Sequence, residues 1–109
     1  MITVTVLRQQ NTPVGFWVKG HADFGEYGED IVCAGVSAVV QTAILGIVQV
    51  LKLNAGVSVE EGDTTCILSR ETTEEQLDKA KIVFGTMLCG LKSIQASYPK
   101  TLKFRNKEV

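Results

Sequence analysis

Histidine and tryptophan each occur once in the 109 residues, proline twice and cysteine three times. With one His and no Cys-x-x-Cys pair, the chain lacks the ligands of a Cys₄ or Cys₂His₂ zinc site. Three cysteines are too few, and odd in number, for the disulfide framework of a small secreted domain. Charge of one sign is also missing. Eleven Lys and Arg stand against twelve Asp and Glu, a formal net charge of -1. That balance argues against a nucleic-acid binder working through a broad basic surface. No low-complexity segment, linker or internal repeat is visible. The length suits one domain and excludes multidomain enzymes and Rossmann-size dehydrogenases. The first residues, Met1-Ile2-Thr3-Val4-Thr5-Val6-Leu7-Arg8, show no basic stretch followed by an apolar one, so no signal peptide is expected.

What is present is hydrophobic: 45% of the residues, with 21% charged, enough for a modest core. The stretch from Ile31 to Leu51 carries no charge and is long enough to span a membrane. Its composition points elsewhere. Ser37, Gln41, Thr42 and Gln49 are interspersed, Gly35 and Gly46 interrupt, and no aromatic or Lys/Arg cluster marks an interface. A helix covered by a sheet on one side and another subunit on the other fits better. A cytoplasmic protein that engages neither membrane nor nucleic acid directly is expected.

Periodicity organises the rest. Ile2–Leu7 alternate as a strand, residues 9–13 turn, and Val14–Lys19 return. Asp30 can cap a long helix reaching about Leu53, stopped by Asn54-Ala55-Gly56. Val57–Val59 and Thr64–Leu68 flank Glu61-Gly62-Asp63 as a second hairpin. Thr72-Thr73-Glu74-Glu75 has capping-box spacing, and Leu77, Ala80, Phe84, Met87, Leu88, Leu91 and Tyr98 form a helical stripe ended by Pro99. Leu102–Phe104 reads as a short last strand. The expected fold is α+β: a single domain over 1–109 in ββαββαβ order, one β-sheet packed with two long helices.

The chemistry concentrates between residues 20 and 37. With Asp30 as N-cap, Cys33 falls in the first helical turn, where unpaired N–H groups and partial positive charge favour a thiolate. Cys33 is therefore expected to titrate below an ordinary thiol and to serve as a nucleophile, with the same N–H groups available as an oxyanion hole. His21 lies at the mouth of a Gly-rich loop that can bring the imidazole to Cys33, the minimum for a cysteine hydrolase. Asp30 and Ser37, three before and four after Cys33, share its helix face, and either can orient His21 or brace the loop. Asp23, Glu26 and Glu29 are further acidic candidates, more naturally read as solvated. The bland alternative is a buried Cys behaving as a small hydrophobe beside an ordinary polar His. Cys66 in a strand and Cys89 on a helix, without basic neighbours, are assigned no chemistry. Gly25 and Gly28 are either turn residues of positive φ or hinges of a moving loop. Phe24 and Tyr27 either line a cleft or anchor the loop. The loop's acidity and lack of Lys or Arg weigh against a phosphate site.

The runs Gly20-His21-Ala22 and Tyr27-Gly28-Glu29-Asp30-Ile31-Val32-Cys33-Ala34-Gly35-Val36-Ser37 resemble the Prp family of ribosomal-processing cysteine proteases. The resemblance extends to the element order over the whole chain. It implies a small homodimeric bacterial endopeptidase that removes a short N-terminal extension from the twenty-seventh large-subunit ribosomal protein, cutting after an aromatic pair and before a small residue. It further implies Cys33 as nucleophile, His21 as general base, Asp30 and Ser37 in supporting roles, and a loop with Gly20, Gly25 and Gly28 moving over the site. No cofactor or metal is implied. The competing reading is a non-catalytic homodimeric module that binds a peptide or ribosomal component. An extended substrate of the protease is expected along the sheet edge or in the loop cleft, and the binding module would use the same cleft.

Overall fold

A computed structural model describes residues 1–22 and 30–109; residues 23–29, which include Gly25 and Gly28, lie outside the described residues. Five strands and two helices follow the expected order. They are β1 (Ile2–Gln9), β2 (Thr12–Lys19), α1 (Ile31–Leu45), β3 (Ala55–Glu60), β4 (Asp63–Leu68), α2 (Glu74–Ser97) and β5 (Leu102–Glu108). They build one sheet in the order β3-β4-β2-β1-β5, antiparallel throughout except for the parallel β1–β5 pair.

Strand alternation sends Ile2, Val4, Phe16, Val18, Cys66 and Leu102 to one face, where they form a single core with both helices. Phe16 meets Phe84 of α2 edge-to-face, centroids 5.9 Å apart. From α1 the core takes Val32, Val36, Val40, Ala43 and Ile44, and just beyond it Ile47. The segment from Ile31 to Val50 is long and apolar enough to cross a membrane by length and composition, and a third of it is buried inside this fold. The opposite sheet face carries Thr3, Trp17, Lys19, Lys103 and Arg105, by the same alternation.

Several boundaries differ from those read in the sequence; Ala55 and Gly56, read as the helix stop, already belong to β3, and Gln9 and Asp63, read as turn residues, belong to β1 and β4. Pro13, placed in the turn, belongs to β2. It pairs with Arg8 where the β1–β2 register shifts, and a register irregularity is where an interior strand tolerates a missing N–H. The regular part of the first helix stops at Leu45 and continues as a π-helical turn over Gly46–Val50. There Leu51 N–H bonds Gly46 O at 2.9 Å, so the helix ends before Leu53. The capping box sits one residue later than expected. Thr73 Oγ1 accepts from Gln76 N–H and Gln76 Oε1 accepts from Thr73 N–H, while Thr72 Oγ1 donates to Ser69 O. The last strand runs on to Glu108, because pairing with β1 holds its charged half in the sheet.

Candidate active site

Asp30, where the described residues resume, is extended and caps α1. Its Oδ1 accepts from the N–H groups of Val32 (3.1 Å) and Cys33 (3.0 Å), as an N-cap carboxylate should. Its Oδ2 accepts from the Cys33 thiol at 3.2 Å. From the other side the Ala22 N–H donates to Cys33 Sγ, also at 3.2 Å. The half-buried sulfur is thus held between the start of α1 and the chain that leaves β2. One expectation changes as a result. The Val32 and Cys33 N–H groups serve Asp30, so they are not open donors for an oxyanion hole.

His21 is placed by a different part of the chain. Gly20, at φ +105, turns the backbone out of β2, and its N–H donates to Gly62 O at 2.9 Å. A side chain at Gly20 would meet the Met1 carbonyl at 2.5 Å, so this position takes only glycine. Gly62, at φ +71, forms the β3–β4 turn with Glu61. A Cβ there would stand 2.7 Å from His21 Nε2. The exposed imidazole therefore lies over a gap left by glycine. Trp17 Nε1 donates to Asp63 Oδ1 at 2.7 Å and ties the same turn to β2.

Cys33 and His21 open into one cleft of about 320 Å³. Ser37 and Gln41 continue its wall along α1, and Val59, Glu60, Glu61 and Asp63 supply the facing hairpin. No Lys or Arg is among the described lining residues. No hydrogen bond links imidazole and thiol among the described residues; the thiol's donor contact is to Asp30. Asp30 thus contacts the thiol, and Ser37 lies one turn along the same wall. Asp23, Phe24, Gly25, Glu26, Tyr27, Gly28 and Glu29 lie outside the described residues. The hairpin residues went unassigned in the sequence: they are some forty positions from His21, and Gly62 there reads only as a turn.

Cys66 is fully buried beneath the helices, and burial pushes its thiol up to about 11. Cys89 is exposed on α2, and none of the three cysteines is in a disulfide. Among the described residues, no three His, Cys, Asp or Glu gather closely enough to hold a metal ion.

A helix-capped cysteine and a histidine share one cleft on a five-stranded α+β sheet, an arrangement that suits cysteine-type peptidase chemistry. Comparison with known proteins agrees. The chain belongs to the cysteine protease Prp family, whose family model matches residues 1–103. It is 32% identical over 109 residues to the ribosomal processing cysteine protease Prp of Staphylococcus aureus strain Mu50, covering 98% of this chain and 100% of that protein. To the protein of the same name from Bacillus subtilis strain 168 it is 30% identical over 106 residues, covering 94% and 95%. Among solved structures, it matches an essential ribosomal processing protease Prp from Staphylococcus aureus in complex with a covalently linked product peptide, at TM-score 0.83 and 28% identity. That match covers 98% of this chain and 100% of the other. A second structure of the protease, with a substrate peptide, matches at TM-score 0.79 with the same identity and coverage.

Proposed function

We propose that this peptidase removes the short N-terminal extension of the twenty-seventh large-subunit ribosomal protein, cutting after an aromatic pair and before a small residue. The observation that carries the reading is the common cleft of Cys33 and His21, in a chain whose relatives are named ribosomal processing proteases. His21 takes the proton from the Cys33 thiol as the imidazole closes on the sulfur. The thiolate attacks the scissile carbonyl carbon, and the tetrahedral adduct collapses to a thioester as the imidazolium gives its proton to the departing amine. Water, deprotonated by His21, then releases the acid and restores the thiol. Asp30 holds the sulfur at the helix start until the imidazole engages it.

The enzyme works as a cytoplasmic homodimer on this reading. Support for the dimer lies in an apolar groove between α1 and α2, lined by Ala38, Val39, Gly46, Ile82, Val83 and Met87. In the test, wild type and Cys33→Ala are incubated with a peptide holding an aromatic pair followed by Ala, and the products are weighed by mass spectrometry. A single cut after the pair by the wild type alone is expected. Equal cleavage by Cys33→Ala would remove Cys33 from the chemistry, and an intact peptide would remove the proposed specificity.

A further inference from the structure

We infer that the free edge of β3 is a substrate-binding strand, on which the peptide adds itself to the sheet as it enters the cleft. The inference rests on the cleft reading above and extends it to the residues flanking the scissile bond. Among the described residues β3 is an edge of the sheet, paired only with β4. The Ser69 N–H donates to Asn54 O at 2.9 Å, which flanks the Ala55–Leu68 pair. In an antiparallel ladder that bond makes Ala55, and at period two Val57 and Val59, positions without hydrogen bonds to β4. Their N–H and C=O groups therefore point away from the sheet, toward an incoming strand.

The two edges of the sheet are built differently. On β5, Lys103, Arg105 and Lys107 alternate along one exposed face, the charge that keeps an edge from pairing with other chains. On β3 the sequence Ala55-Gly56-Val57-Ser58-Val59 holds no charge and no proline. Val57 and Val59 are 42% and 51% exposed. This unguarded edge ends at the catalytic cleft, since Val59 and Glu60 line the cavity that holds Cys33 and His21. That continuity selects a peptide as occupant. A bond presented to Cys33 must belong to extended chain, and an extended chain leaving the cleft beside Val59 meets open N–H and C=O groups at the spacing of its own.

The test measures binding of the fluorescent aromatic-pair–Ala peptide to the Cys33→Ala protein. Val57→Pro deletes one outward N–H and leaves the β4 ladder intact. It should weaken binding about tenfold, the scale of one or two lost hydrogen bonds, while Val57→Ala changes it less than about threefold. Replacing the peptide's amides one at a time by esters should weaken binding at alternate positions on one side of the scissile bond. This scan decides the matter even if Val57→Pro does not fold. Flat ester scans, or wild-type affinity in folded Val57→Pro, would overturn the inference. So would a change of oligomeric state in place of peptide affinity, which would make the occupant a second copy. Period-two binding without cleavage by the Cys33-bearing chain would sink the proposed chemistry and leave the edge standing; cleavage with a flat scan would do the reverse.

Discussion

At the scale of single residues, the site is divided between what neighbours in sequence arrange and what distant residues arrange. Cys33 and its cap Asp30 are three apart, and a capping residue ahead of an apolar run is a local signal. That half was legible in the sequence. The expected open oxyanion donors are not found at Val32 and Cys33, because a cap strong enough to be recognised also uses up the N–H groups it caps. The seat of His21 was not legible. It depends on Gly62 lacking a side chain and on the tie from Gly20 N–H to Gly62 O, across forty residues. Gly62→Ala should displace the imidazole and strain a backbone at φ +71. Cleavage of the aromatic-pair peptide should fall at least about tenfold, while the rate of Cys33 alkylation at high pH, where no base is needed, stays near wild type. Loss of both rates together would assign Gly62 to the fold alone.

Elements were legible in type and order, and less so at their ends. Apolar alternation marks β1 and the 3.6-residue stripe marks α2, because burial on one face imposes those periods. Ends are set by local competition that the stripe does not report. Two threonines precede α2, each followed three residues later by a side chain able to complete a box: Glu75 for Thr72, Gln76 for Thr73. Thr72 is drawn instead to Ser69 O, leaving Thr73 and Gln76 as the working pair. Thr73→Ala should therefore cost about 1 kcal/mol in urea denaturation, and Glu75→Ala no more than about 0.5 kcal/mol. Equal losses would put the cap back at Thr72. The far end of β5 was hidden for a related reason: Lys103, Arg105 and Lys107 look like solvated chain until β1 is laid beside them.

At the scale of the molecule, both helices lie on one sheet face, and none of the other described elements covers their outer sides. Ile82 is 71% exposed beside the groove between α1 and α2. The uncharged composition of Ile31–Leu51 already suggested a helix covered on two sides, and among the described residues of one chain only the sheet side is filled. If two copies close over this groove, Ile82→Asp should shift the protein to the monomer mass by light scattering at micromolar concentration, since an unpaired carboxylate would be buried at the contact. A wild type that is itself monomeric at that concentration would rule the dimer out.

The parallel pairing of β1 with β5 also governs when the sheet can close. Ile2 lies beside Leu102 and Arg8 beside Glu108, so almost the whole chain separates the partners. During synthesis β1 leaves the ribosome early and waits, paired on one side only, until β5 follows it out. Such a pairing is slow, since the loop it closes is nearly the full length of the chain. An enzyme whose proposed substrate is a ribosomal component thus completes its own sheet only after β5 has itself cleared the ribosome.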